Sequence, residues 1–197
     1  LKDAESHTFT VLSMVDAGTS YHVGSLLKNR SSTHASKKVL HDWVMHYGAP
    51  EVIVVDQGGE FEGALNDVFE EFSIDTRVAG AHAPWQHGLA ERHGAILGHI
   101  WCKLIYQTGA VGRKEMQKIL CACLQMKKST MTRNGTTPEM ALFGRALRWA
   151  DHNVDDDTYP LASLSADGEA WRCQQLRAAA KIAMLERDAS DKLRRVL

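Results

Sequence analysis

Apolar positions along this chain recur with two periods, and the switches between them mark its elements. Thr8 to Ala17 (TFTVLSMVDA) and Ser20 to Leu27 (SYHVGSLL) are rich in β-branched and apolar residues. Gly18 supplies a turn between them, so the two runs read as an antiparallel pair. KDAES just upstream reads as a further turn. From Ser32 the period lengthens: Val39, Leu40, Trp43, Val44 and Tyr47 fall at helical spacing and stop at Gly48 before Pro50, which predicts one amphipathic helix. Val52 to Val55 is a continuous apolar run, the pattern of a central strand covered on both faces. The helix ALNDVFEEF and the short strand IDTRVA follow.

Ala81 to Gly88 (AHAPWQHG) reads as a loop from its proline and glycine. Leu89, Ile96, Leu97, Ile100, Trp101 and Leu104 then take helical spacing, and so do Met116, Ile119, Leu120, Cys123 and Leu124 in a helix from about Lys114 to Lys128. Pro138 opens a short helix inside a turn-rich connection. DHNVDDDTYPLASLSADGE is acidic and full of breakers, as a linker would be. A last helix, from about Ala170 to Leu197, sets Trp171, Ala178, Ile182, Leu185, Leu193 and Val196 along one stripe. Antiparallel strands followed by helix-linked parallel ones predict an α/β fold with a mixed sheet flanked by helices. The units expected are a core over 1–130, a connection over 131–150, the linker over 151–168 and a C-terminal helix over 169–197.

Composition narrows the classes. With 197 residues, 44% of them hydrophobic, the chain can fill a core. A formal net charge of -1 gives no broad basic field, so any nucleic-acid contact must come from local patches or from outside this chain. Cys102, Cys121, Cys123 and Cys173 lack CxxC spacing and read as reduced thiols of an intracellular, unsecreted protein. No apolar run approaches the roughly 18 residues that a membrane span needs, so no membrane partner is expected.

Two carboxylates carry the candidate chemistry. Asp56 follows the buried strand directly, at the carboxyl end where open α/β sheets build their sites, and Glu91 lies in the first turn of the helix after the proline loop. Convergent carboxylates without basic partners repel, and a hard divalent cation with oxygen ligands, Mg²⁺ above all, relieves that repulsion. Taken singly, Asp56 is ordinary turn chemistry and Glu91 a dipole-stabilising acid. His82, His87, His93 and His99 match no zinc spacing and read as surface or packing histidines.

VVDQGGEF and APWQHGLAERHGAIL resemble the second-aspartate and glutamate motifs of the integrase catalytic core of LTR retrotransposons and retroviruses, in the wider DDE transposase and RNase H-like group. NGTTPEMALFGRALR is similar to the segment that follows the core in copia-type polyproteins. The resemblance spans about Thr8 to Arg148. It implies an RNase H-like fold and metal-dependent DNA 3′-end processing and strand transfer. It implies Mg²⁺ (or Mn²⁺) held by Asp56 and Glu91, with Trp85, Gln86, His87, Arg92 and Lys103 against DNA. It also implies a homo-oligomer in the full-length protein that acts in the nucleus on element ends and target DNA.

The departures from that pattern matter equally. The family's first catalytic aspartate lies on a strand ahead of the hairpin. Asp3 and Glu5, the only acids before Thr8, fall in a turn, so the first ligand is expected before Leu1. Asp16 matches a recurrent, non-catalytic aspartate. Retroviral relatives carry lysines one and two turns past the glutamate, where this chain has Ala95 and Gly98. The alternative is a catalytically dead or co-opted element that persists as a nucleic-acid-binding or oligomerisation module. A generic α/β domain is a weaker third reading.

Overall fold

The computed structural model describes residues 1–55, 63–78, 84–130, 135–146 and 168–196. Asp56 and the acidic linker lie outside these residues, as do the side chains of Pro84 to His87. The first strands are β1 (Val11–Val15) and β2 (His22–Leu26), antiparallel with Ser13 opposite Gly24. Their turn is held by Asp16, whose Oδ2 accepts from Thr19 N at 2.7 Å and from Thr19 Oγ1 at 2.6 Å.

The helix expected from Ser32 to Gly48 is present but interrupted. Helix α1 (Ser32–Val39) is capped by Ser31, whose side chain accepts from His34 N; a π-helical segment (Leu40–Val44) and α2 (Met45–Tyr47) continue it to Gly48 at φ 83. The π segment carries Asp42, which accepts a hydrogen bond from Ser25 of β2 and pairs with Lys38 at 3.3 Å. A side-chain bond to the sheet thus accompanies the local widening of the helix.

Strand β3 (Val52–Val55), helix α3 (Ala64–Glu71) and strand β4 (Asp75–Val78) form a parallel βαβ unit with Val52 opposite Asp75. The expectation that β3 is covered on both faces fails at Val54, which is 47% exposed. Among the described residues the antiparallel and parallel pairs are separate two-stranded sheets. They share one hydrophobic cluster, in which Leu12 of β1 and Leu27, just after β2, join Val55, Leu65 and Phe69 of the second unit.

Helix α4 (Pro84–Thr108) starts earlier than the proline loop suggested, because proline at a helix start lacks only an N–H that would go unpaired there anyway. It packs with α5 (Arg113–Thr130) and α7 (Glu169–Val196) around Ile100, Trp101, Leu104, Met116, Ile119 and Leu120. Trp101 is fully buried and its Nε1 donates to Lys2 O at 2.7 Å, which ties the chain start to α4. Helix α6 (Pro138–Phe143) has Thr137 as its N-cap and Gly144 at φ 68 as its stop.

On α7 the inward face is not the stripe that apolarity suggested. Ile182, Leu185 and Leu193 are 54%, 51% and 65% exposed, whereas Leu176, Ala180, Ala183 and Met184 are buried. Small alanines allow the backbones of α5 and α7 to approach closely, and dense interior packing favours that face over the bulkier one. Among the described residues no helix is long and apolar enough to cross a membrane.

Candidate functional site

Glu91 lies in the second turn of α4. It is exposed, and among the described residues its carboxylate forms no ion pair and no side-chain hydrogen bond. A carboxylate with no ion-pair partner among the described residues can bind a hard cation. Arg92 beside it is exposed, and Lys103, three turns on, is ion-paired with Glu186 of α7. The proximity of Asp56 and Glu91 falls outside the described residues, as do the contacts of Trp85, Gln86 and His87. Among the described residues no cluster of His, Cys, Asp and Glu suits a metal ion.

What holds Glu91 outward is a buried polar cluster behind it. His93 is two residues on, about 200° around the helix, and is 1% exposed. Its Nδ1 lies 2.5 Å from Lys127 Nζ of α5, and the same Nζ contacts His22 Nδ1 of β2. His22 Nε2 in turn lies 2.7 Å from Ser13 Oγ of β1. Lys127 has N–H donors in either protonation state, so neutral imidazoles that accept at Nδ1 satisfy the cluster.

Electrostatics agree with that assignment. Burial first, then the Lys127 charge, drives the His22 imidazole well below its usual range. Burial, then Lys127 and Arg92, pushes His93 down to about 4. Burial, then the neighbouring Lys128 cation, brings Lys127 down to about 7. Four elements, β1, β2, α4 and α5, are joined through groups that an apolar interior tolerates only when paired.

The sequence reading of His93 as a packing histidine describes its burial and misses this cluster. The available signal was the spacing of Met116, Leu120, Cys123 and Lys127, which sets a lysine on the buried stripe of α5.

Asp3 is committed to structure. Its side chain is buried and accepts from Glu5 N at 3.1 Å, His7 N at 2.9 Å and Gly112 N at 3.2 Å. Lys2 is bonded to Trp101, ten residues past Glu91, so Asp3 lies beside the far part of α4, on the order of 15 Å along its axis from the candidate site. Asp16 is engaged with Thr19. Neither is a free third carboxylate.

No protein-family profile matches the chain. Over 110 residues, 55% of its length, it is 27% identical to the Pol polyprotein of feline endogenous virus ECE1, and it spans only 10% of that polyprotein. Its structure is similar to the simian T-cell lymphotropic virus intasome in complex with the PP2A regulatory subunit B56 gamma, with TM-score 0.60 and 19% identity. That match covers 71% of this chain and 50% of the other. It is similar also to the HTLV-2 integrase catalytic core domain in complex with magnesium, in a dimeric form, with TM-score 0.57 and 14% identity over 72% of this chain and 88% of that one. The chain therefore has the RNase H-like α/β fold of retroviral integrase catalytic cores.

Proposed function

We propose that this chain is the catalytic-core portion of an integrase from a retroviral or LTR-retrotransposon polyprotein, and that it serves DNA integration. The observation that carries the reading is Glu91: an unpaired, outward carboxylate near the start of α4, within an integrase-core fold. The Pol polyprotein similarity supports the same reading. NGTTPEMALFGRALR supports the copia type.

In this reading Asp56 and Glu91 would hold Mg²⁺ or Mn²⁺, which when bound would supply the Lewis acidity that 3′-end processing and strand transfer need. The chain's own contribution is positional. Glu91 is aimed outward by the buried His93, Arg92 lies next to it, and Trp85, Gln86 and His87 precede it on the same helix, where they meet the DNA strand. A third carboxylate has to come from beyond Asp3 and Asp16. The partners are element ends, target DNA and further copies of the chain, in the nucleus during integration.

Mn²⁺ titration followed by NMR tests the site. Broadening of amides in the first turns of α4, absent in Glu91→Gln, is the expected result; no response of α4 to Mn²⁺ removes the reading. Strand transfer on oligonucleotides in Mg²⁺ or Mn²⁺ tests the reaction, and with only these two carboxylates the chain should show little. Robust transfer that Glu91→Gln abolishes would mean that one of the chain's own acids completes the site.

The co-opted-module alternative has one observation in its favour, the commitment of Asp3 and Asp16 to turns and caps. It predicts DNA binding or self-association without any metal response at Glu91.

A further inference from the structure

Where α7 crosses α4 there is an open cleft of about 250 Å³, lined by His99 and Lys103 of α4 and by Glu186, Arg187, Asp191 and Arg194 of α7, with Ser190 at its side. Its ion pairs are partly exposed. Lys103 pairs with Glu186, and Arg187 Nε lies 3.4 Å from Asp191 Oδ2; these side chains are 34%, 58%, 21% and 38% exposed respectively. Arg187 Nη1 also reaches Ala95 O at 3.4 Å, one helical turn past Glu91. Arg194 is exposed and has no ion-pair partner among the described residues. Both pairs reach solvent, where a phosphate can compete with the carboxylate for its cation.

The cleft itself carries three cations, Lys103, Arg187 and Arg194, against two carboxylates, Glu186 and Asp191, although the whole chain has a net charge of -1. Residues 91, 95 and 99 stack turn above turn on α4. On α4 the cleft therefore runs from about 12 Å past Glu91, at His99, to about 18 Å, at Lys103, at 1.5 Å per residue. One DNA strand rises about 3.4 Å per nucleotide, so the cleft lies roughly four to five nucleotides from a phosphate at Glu91.

We infer that the α4–α7 cleft is a sequence-independent subsite for the DNA phosphate backbone, with Arg187 and Arg194 as its principal contacts and Lys103 at its far end. The inference rests on the DNA-integration reading above but not on its metal site. His99, whose pKa is lowered by burial and then by the Lys103 and Arg187 cations, adds a polar edge to the cleft.

The test is fluorescence anisotropy of a labelled 20-bp duplex with the full 197-residue chain in EDTA, from 50 to 200 mM KCl. Each phosphate contact adds about 0.9 to the slope of log K against log salt. Arg187→Ala and Arg194→Glu should each lower that slope by about 0.9 and weaken binding ~8-fold at 0.1 M salt. Lys37→Glu, the same charge change as Arg194→Glu at an exposed position of α1, should leave the slope unchanged, and Arg187→Lys should restore most of what Arg187→Ala loses. Circular dichroism melts check that the variants fold, and Arg194, being exposed, gives a variant that does not depend on packing.

An unchanged slope in both cleft variants, an equal fall in the Lys37 control, or no DNA binding by the parent chain would overturn the subsite. Failure of the metal reading appears separately, as a missing Mn²⁺ response at Glu91 in a chain that still binds DNA through the cleft.

Discussion

Lys127 shows how one residue can shape the behaviour of several elements. Its ammonium is brought down to about 7 by burial and then by Lys128, far below the ordinary lysine range near 10.5. The folded state therefore binds fewer protons than the unfolded chain between those values. By linkage, stability from this group rises as pH increases from about 7 towards 10.5 and is lowest below about 7. Lys127→Met removes the titration and leaves two imidazole acceptors without their donor. Its unfolding free energy, from urea melts between pH 7 and 10, should lose the alkaline gain that the parent chain shows. A parent chain whose stability is flat over that range would mean that Lys127 is not buried as described.

At the scale of the element, α7 separates apolarity from burial. Ala180 and Ala183 are fully or nearly fully buried in the cluster shared with α4 and α5, so Ala183→Leu should destabilise by about 1–3 kcal/mol through overpacking. Ile182→Ser and Leu185→Ser lie on the exposed stripe and should stay within about 0.5 kcal/mol. Thermal melts of the three variants decide between the two faces; a large loss at Ile182 or Leu185 would show that this stripe is covered in solution.

For the whole molecule, the two hydrophobic clusters imply two levels of protection. Ile100, Trp101, Leu104, Met116, Ile119 and Leu120 are buried to 1% exposure or less and tie α4 to α5, with α7 packed beside them. The cluster beneath β3 and α3 is smaller, and Val54 stays largely exposed. Native-state hydrogen exchange should find the slowest amides in α4 and α5 and faster opening in β3, β4 and α3. The reverse order would mean that the βαβ unit, and with it the strand leading to Asp56, is the more rigid body.

Elements were legible in the sequence wherever local chemistry alone sets the outcome. The hairpin Val11–Val15 and His22–Leu26, the βαβ unit after Val52, the Thr137–Pro138 helix start and the helical spacing of Ile96 to Leu104 are all short-range patterns. The identity of Glu91 as a candidate site residue was legible too, from motif resemblance. What only tertiary structure decided depends on partners distant in sequence. Lys127 needs His22 and His93, Asp3 needs Gly112, and Arg187 needs Ala95. The inward face of α7 was likewise undecidable from its own residues, because two faces carry apolar side chains and only the close approach of α5 selects the one built on alanines. Periodicity records which residues can share a surface, while burial depends on which surface another element covers.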